Sequence, residues 1–233
     1  MHAIGYRRHG DVSVLEQFEA SKPEPKRGEV IVRVHAFGLN PLDYRLRRGE
    51  LRLITSLKMP RLIGSDFAGT VDSIGADVHS VGPNDAVFGM VSQLLNGCSA
   101  EFIRVPESQL AKMPSSLNFE VGAAVPLAAL TAYQALTDIA QVKPGDKVLI
   151  NGASGGVGTF AMQLARFKGA EVTAVTSFRN TAMVSELGAH HVVDYTQRDF
   201  VEVATGFDLI FDCYGNRTFE QVQTALNSTG RYI

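Results

Sequence analysis

The second half of the sequence alternates short apolar segments with helix-forming segments, and this alternation constrains the fold more than any other feature. Apolar segments that suit strands begin near positions 147, 172, 191, 209 and 231. Strands joined by helices form βαβ units, whose parallel strands are buried between layers of helices. The sequence therefore predicts an α/β domain with a doubly wound parallel sheet. Its first helix is expected from about Gly158 to Lys168 and its last from about Thr218 to Leu226.

The stretch 151–158, which reads NGASGGVG, places four glycines between the first predicted strand and the first predicted helix. In a dinucleotide-binding fold the loop at this point holds the diphosphate. Gly155 and Gly158 match the second and third glycines of the G-x-G-x-x-G pattern, and Ala153 stands at the first. The second glycine lets the backbone approach the diphosphate, and the helix N-terminus attracts phosphates. We therefore predict a nucleotide site, the alternative being a tight turn without a ligand.

The residues that follow the second predicted strand indicate which dinucleotide binds. An NAD site usually has Asp or Glu there to hold the ribose 2′-hydroxyl. Positions 176–180 read TSFRN and contain no acid. A hydroxyl and a guanidinium, from Ser177 and Arg179, suit the 2′-phosphate of NADPH instead. The alternative for Arg179 is a solvated side chain at the start of a helix.

The first half of the sequence is rich in predicted strands. In the segment 29–34, EVIVRV, the three valines would share one face of a strand. A short helix is predicted after Asn40, because Asn40 suits the N-cap, Pro41 the first helical position and Gly49 the stop. The apolar, alanine-rich segment 119–136 predicts one or two helices around its central proline.

Composition excludes several classes of protein. With 45% hydrophobic residues and 20% charged residues, the chain of 233 residues has the composition of a globular protein. The net charge of -2 gives no indication of nucleic-acid binding. No apolar run reaches the about 20 residues of a membrane helix. The first residues resemble no targeting leader, and the two cysteines suit a reducing compartment, so we expect a cytoplasmic location.

Several motifs together resemble a known family. The segments NGASGGVGTFAMQLAR, VKPGDKVLI, PLAALTAYQAL, GLNPLDYRLRRG, GSDFAGTV and LGAHHVVDYT occur along the chain. They resemble the zinc-independent quinone oxidoreductases of the medium-chain dehydrogenase/reductase superfamily, which are alcohol dehydrogenase-like. The resemblance implies a GroES-like β-barrel domain over residues 1–118, which carries the substrate, and an NADP-binding Rossmann domain over residues 119–233.

The resemblance also implies roles for individual residues. Asn40 would face the nicotinamide and the substrate, although it also reads as a helix cap. Thr131 reads equally as an ordinary helix residue and Tyr195 as a strand end. The residues implied to bind the cofactor are Asn40, Thr131, Ala153, Ser154, Gly155, Gly156, Val157, Gly158, Ser177, Arg179, Asn180, Tyr195, Tyr214 and Gly215.

Zinc is not expected. The zinc enzymes of the superfamily carry Cys where this chain has Asn40, and a His-Glu pair where it has Ser65 and Asp66. Neither an amide nor a serine hydroxyl is a usual zinc ligand. The chemistry implied is hydride transfer from NADPH to a quinone or an α,β-unsaturated carbonyl. Asn40 and Tyr44 are the candidate donors to the developing oxyanion, and packing is an equal alternative for Tyr44.

The family's chains run further than this sequence, and their Rossmann sheets have six strands. We therefore expect the natural protein to be longer and to form a homodimer, and the 233-residue form to be unstable and inactive. Two other functions stay open at this point. One is a non-catalytic NADPH-binding protein, and the other is an enoyl reductase unit of a larger synthase.

Overall fold

The computed structural model describes residues 1–53, 58–92, 97–203 and 205–233. These residues form two compact units, Met1–Leu127 and Ala128–Ile233. The domain boundary predicted after residue 118 from the change of composition lies earlier in the chain than this division.

The first unit is built from antiparallel strands and two short helices. The strands are β1 (His2–Tyr6), β2 (Glu16–Glu19), β3 (Glu29–Gly38), β4 (Arg61–Leu62), β5 (Asp66–Ile74), β6 (Ala86–Met90), β7 (Phe102–Pro106) and β8 (Leu110–Lys112); the helices are α1 (Pro41–Arg48) and α2 (Phe119–Ala123). In the part of the unit that is described, one sheet has the order β2-β1-β4 and the other has the order β7-β3-β5-β6-β8.

The alternating pattern of β3 places its valines in the core of the first unit. Val30 and Val32 are fully buried in one cluster with Phe67, and Val34 packs against that cluster. This confirms that the three valines share a face. Ile31 lies on the opposite face and is also fully buried, so both faces of the strand are covered near its start.

The local signals around α1 are confirmed. The helix begins at Pro41, directly after Asn40, and it ends where Gly49 adopts a φ of 83°. That left-handed conformation favours glycine. The Asp43 carboxylate accepts a hydrogen bond from the Asn40 backbone N–H at 2.7 Å, which stabilises the N-terminus of the helix.

The second unit carries the predicted parallel sheet. The helix α3 (Pro126–Tyr133) begins at the unit boundary and is followed by a π-helix, Gln134–Ile139. The remaining elements are β9 (Lys147–Asn151), α4 (Gly156–Phe167), β10 (Glu171–Thr176), α5 (Thr181–Glu186), β11 (His191–Asp194), α6 (Phe200–Val203), β12 (Phe207–Asp212), α7 (Phe219–Val222) and β13 (Leu226–Tyr232). The parallel strands lie in the order β11-β10-β9-β12-β13.

The end of the second unit differs from the sequence-based expectation. The last helix was predicted to reach Leu226, but α7 ends at Val222 and β13 begins at Leu226. Leu226 pairs with Phe207 of β12. Because this pairing with a distant strand requires an extended backbone, Leu226 starts a strand and does not continue the helix.

Both faces of the parallel sheet are covered by helices. On one face, Ile150 and Ala174 are buried with Met162 of α4. On the other face, Leu149 and Ile210 are buried in a separate cluster, to which α6 and α7 contribute. This confirms the doubly wound architecture. Within the described ranges, no helix combines the length and the hydropathy needed to cross a membrane.

Candidate functional site

The carboxyl ends of the parallel strands place most of the predicted site residues along one edge of the sheet. Because β9 lies between β10 and β12, the order of the strands reverses at β9 and β12. Ligands of open α/β sheets bind at this topological switch point, outside the carboxyl ends of the strands. The segments that follow β9, β10, β11 and β12 carry the predicted residues 153–158, 177–180, 195 and 214–215 respectively, of which 156–158 form the first turn of α4.

The loop between β9 and α4, residues 152–155, is called the glycine loop here, and it forms a tight turn that leads into α4. Gly152 adopts a φ of 78°, and its carbonyl accepts a hydrogen bond from the Gly155 N–H at 3.0 Å. The N–H of the buried Ala153 donates to the Val175 carbonyl at 3.1 Å, which ties the loop to β10. The helix starts at Gly156, so its unpaired N-terminal N–H groups and the positive end of its dipole lie beside the loop.

Gly155 and Gly158 are glycines for different physical reasons. A Cβ at Gly158 would collide with the Gly152 carbonyl oxygen and would lie 2.7 Å from the Ala153 Cα, so the helix packs on the loop only if residue 158 has no side chain. A Cβ at Gly155 would meet only the Gly152 carbonyl oxygen, at 3.3 Å. The backbone of Gly155, with φ -78° and ψ 170°, suits any residue. Its glycine therefore leaves open space beside the N-terminus of α4.

The loop after β10 contacts the glycine loop. The side-chain amide of Asn180 donates to the Ser154 hydroxyl at 3.1 Å and lies 3.5 Å from the Ser177 hydroxyl. Arg179 is exposed, and residues 176–180 contain no acid. The structure thus brings three of the predicted residues together. The backbone N–H of Tyr195 donates to the Thr176 carbonyl at 3.0 Å, which holds this exposed tyrosine next to the end of β10.

The loop after β12 is organised by Asp212, a residue that the sequence analysis missed. Its Oδ1 accepts hydrogen bonds from the backbone N–H groups of Tyr214 at 3.0 Å and Gly215 at 2.9 Å. Tyr214 itself is 75% exposed. The sequence signal that could have identified Asp212 was an acid at the end of a strand, followed by Cys-Tyr-Gly.

Thr131, which was also predicted to contact the cofactor, is exposed on α3.

In the first unit, the side chains that correspond by resemblance to zinc ligands lie together. The amide nitrogen of Asn40 donates to Asp66 Oδ2 at 2.7 Å and to the Ser65 hydroxyl at 3.3 Å. Asp66 Oδ1 accepts from the Leu127 N–H at 2.8 Å. Burial raises the pKa of Asp66, while these hydrogen bonds oppose the rise. Among the described residues, no group of three or more His, Cys, Asp and Glu side chains could hold a metal ion.

These contacts separate the two candidate oxyanion donors. Because the amide nitrogen of Asn40 already donates within the protein, it is less available to a ligand than the sequence suggested. Tyr44 is 45% exposed, and the Arg48 guanidinium lies over its ring at 5.2 Å from the centroid. Of the two residues, Tyr44 is the more exposed, which favours its hydroxyl as the donor.

The parallel sheet with a glycine loop at its switch point defines a Rossmann-type, dinucleotide-binding class of domain. Two family profiles match the chain: the alcohol dehydrogenase GroES-like domain over residues 26–115 and the zinc-binding dehydrogenase family over residues 156–233. The chain belongs to the quinone oxidoreductase family of the medium-chain dehydrogenase/reductase superfamily, as the following relatives show.

Three curated relatives cover much of the chain. It is 38% identical to the chloroplastic quinone-oxidoreductase homolog of Spinacia oleracea over 84% of this chain and 61% of the relative. It is 34% identical to the chloroplast envelope quinone oxidoreductase homolog of Arabidopsis thaliana over 100% of this chain and 74% of the relative. It is 33% identical to the 2-methylene-furan-3-one reductase of Solanum lycopersicum over 92% of this chain and 57% of the relative. The chain thus spans between 57% and 74% of these relatives' length.

Solved structures agree with this assignment. The quinone oxidoreductase of Coxiella burnetii has a TM-score of 0.92 and 35% identity, over 100% of this chain and 74% of that one. The quinone oxidoreductase of Escherichia coli, solved in complex with NADPH, has a TM-score of 0.88 and 27% identity, over 100% and 72%. These matches support the two-part architecture, a GroES-like domain followed by a Rossmann-type sheet.

Proposed function

We propose that the chain belongs to an NADPH-dependent, zinc-independent oxidoreductase that transfers hydride to a quinone or an α,β-unsaturated carbonyl. One observation carries the proposal. Gly155 needs no special backbone angle, and a Cβ there would press on one neighbour only, the Gly152 carbonyl oxygen at 3.3 Å, yet the glycine keeps open the space beside the free N–H groups of α4. A bound diphosphate accounts for that glycine, since it needs close approach of the backbone.

The preference for NADPH is supported by the residues after β10. An acid there would repel a 2′-phosphate, and residues 176–180 contain none. Ser177, Arg179 and Asn180 supply hydroxyl, guanidinium and amide donors, and the Asn180 amide also contacts Ser154 of the glycine loop. The Escherichia coli relative, whose structure was solved with NADPH, supports the same cofactor.

Zinc independence is supported by the chemistry of the donor set. The three residues at the corresponding positions offer an amide, a hydroxyl and one carboxylate, and they are hydrogen-bonded to each other. Zinc sites in proteins use thiolate, imidazole and carboxylate ligands. The name of the family profile, zinc-binding dehydrogenase, therefore describes a ligand set that these three positions do not supply.

The proposed substrate class is supported by what the residues can supply. Bound NADPH would provide the hydride, so the acceptor must already be electrophilic. Reduction of a quinone or an enone also consumes a proton and develops negative charge on oxygen, which a hydroxyl donor such as that of Tyr44 would stabilise. The relatives named quinone oxidoreductase and 2-methylene-furan-3-one reductase support these two acceptor classes.

The test is a panel of quinones and enones offered with NADPH or NADH. We expect acceptor-dependent loss of NADPH absorbance, with at least one quinone or enone, and slower turnover with NADH. Tyr44→Phe should lower kcat about tenfold or more, the range for loss of one oxyanion donor, and should leave the Kd for NADPH unchanged. Tight NADPH binding without turnover on any acceptor would point to a non-catalytic binding protein. A homodimer and a cytoplasmic location remain predictions.

A further inference from the structure

Asp212 collects more hydrogen bonds than the end of a strand requires. It is the last residue of β12, beside β9, whose last residue is Asn151. The side-chain amide of Asn151 donates to Asp212 Oδ1 at 2.9 Å, in addition to the N–H groups of Tyr214 and Gly215. The hydroxyl of Tyr232, from β13, lies 3.0 Å from Oδ2. The carboxylate therefore joins two neighbouring strands to the loop 213–216.

The groups around this carboxylate act as donors. Amide N–H groups cannot accept hydrogen bonds, and they all meet Oδ1. Burial and the Asp212 carboxylate raise the pKa of the Tyr232 hydroxyl to about 12, so Tyr232 keeps its proton at neutral pH. That single proton is shared between Asp212 Oδ2 and the Arg217 carbonyl oxygen, which lies 2.7 Å from the hydroxyl.

The loop held in this way borders the glycine loop. A Cβ built at Gly152 would lie 3.4 Å from Tyr214 Cβ and 3.5 Å from Tyr214 N. The position of the backbone at Tyr214 thus limits one side of the space around the glycine loop. If the loop 213–216 moved, the wall of the predicted cofactor site would move with it.

We propose that Asp212 is a positioning residue of the cofactor site. It fixes the loop 213–216 against β9 and β13, so that Tyr214 and Gly215 are held beside the glycine loop before the cofactor binds. This inference rests on the proposed nucleotide site. Asp212 acts through its hydrogen bonds, because its negative charge alone would repel a diphosphate.

Two substitutions separate hydrogen bonding from charge. In Asp212→Asn, the side-chain oxygen still accepts from the three N–H groups, and the new NH₂ donates to the Tyr232 oxygen, whose proton turns to the Arg217 carbonyl. Asp212→Ala removes every one of these contacts. Asp208→Ala is the matched control, since Asp208 lies near the amino end of the same strand and accepts a hydrogen bond from the Lys147 N–H at 2.8 Å.

The experiment measures the Kd for NADPH by fluorescence titration and amide hydrogen exchange at Tyr214 and Gly215 without cofactor. We expect Asp212→Ala to raise the Kd about tenfold or more, because the binding-competent loop becomes a minor state. Exchange at the two amides should accelerate in the same variant. Asp212→Asn should stay within about threefold of the parent, since the hydrogen bonds survive. Asp208→Ala should change neither readout.

Two outcomes would overturn the proposal: a folded Asp212→Ala protein with parental Kd and parental exchange, or an Asp212→Asn protein as weak as Asp212→Ala. If Asp212→Ala does not fold, Tyr232→Phe removes one donor, and unchanged exchange and Kd in that variant would count against the proposal. If the parent binds no NADPH, the proposed function fails, while the exchange measurement still tests whether Asp212 fixes the loop.

Discussion

At the scale of single residues, hydrogen bonds made inside the protein decide which polar side chains remain available to a ligand. Asn40 suits a substrate-facing role by resemblance, but its amide nitrogen donates to Asp66 and Ser65. Tyr44, one helical turn further along α1, remains exposed. The sequence shows which chemical group a side chain carries. Whether that group is available to a ligand depends on hydrogen-bond partners from distant parts of the chain.

Asp66 gives a prediction about pH. Because burial raises its pKa above the ordinary 3.8, the folded chain binds more protons than the unfolded chain between the two pKa values. The stability that Asp66 contributes is therefore full below the ordinary pKa and is lost as the pH rises through the raised one. We expect the free energy of unfolding of the parent, relative to that of Asp66→Asn, to fall across this range. Urea unfolding at a series of pH values measures the difference, and a difference that grows with pH would contradict this assignment.

Arg179 gives a prediction about cofactor choice. Loss of a charged hydrogen bond to phosphate costs about 1.5–3 kcal/mol, so Arg179→Ala should raise the Kd for NADPH about tenfold or more. The Kd for NADH should hardly change, because NADH has no 2′-phosphate. Lys143→Ala, which removes an equal charge before β9, is the control. Equal affinity of the parent for the two dinucleotides would refute the assignment.

The residues that sequence analysis found and missed differ in the range of their contacts. Ser154, Ser177 and Asn180 were predicted from short motifs, and the structure brings them together. Asp66 and Asp212 were not assigned to the site, because their importance comes from partners up to 61 positions away along the chain, as for the Leu127 N–H and the Asn151 amide.

At the scale of elements, the same contrast holds. The helix α1, the turn at Gly152 and the strand β9 were predicted, since caps, glycines and apolar runs are local signals. The small sheet of the first unit was not predicted. Its strand β1 pairs with β4 through Gly5 and Leu62. Neither short segment has a hydrophobic periodicity that would predict this pairing.

The start of α4 gives a prediction about an element. Gly158→Ala should destabilise the second unit by about 1–3 kcal/mol, because the new Cβ meets the Gly152 carbonyl and Ala153. Gly155→Ala should leave the melting temperature close to the parental value, since its Cβ needs only a small adjustment of one carbonyl. The same Gly155→Ala change should raise the Kd for NADPH about tenfold or more, by occupying ligand space.

Thermal unfolding and NADPH titration of both variants separate the two roles. Gly155→Val, with a larger side chain in the same space, should abolish NADPH binding in a folded protein. Retained NADPH affinity in a folded Gly155→Val protein would show that this glycine serves the fold alone.

At the scale of the whole molecule, the antiparallel unit and the parallel unit bring different chemistry. The glycine loop and the loops after β10 and β12 all belong to the second unit, whereas Asn40, Tyr44 and Asp66 belong to the first. The composition of the sequence indicated a change of architecture. The division itself follows from contacts, since α2, which lies after residue 118, packs on β3 and β5 of the first unit.

Metal content is a prediction about the whole molecule. The positions of Asn40 and Ser65 carry neither thiolate nor imidazole. We expect quinone or enone reduction to survive exhaustive chelation, with zinc far below one equivalent per chain in elemental analysis. Loss of turnover on chelation that returns when zinc is added would overturn this expectation.

The open space beside Gly155 also has a practical consequence. The Gly155→Ala protein differs from the parent by one methyl group and is expected to keep its fold while binding the dinucleotide at least about tenfold more weakly, so it can serve as the reference protein in ligand screening. Compounds that raise the melting temperature of the parent but not of the Gly155→Ala twin would be those that occupy this space. Compounds that shift both proteins equally would bind elsewhere, so the pair would sort hits by location before any complex is crystallised.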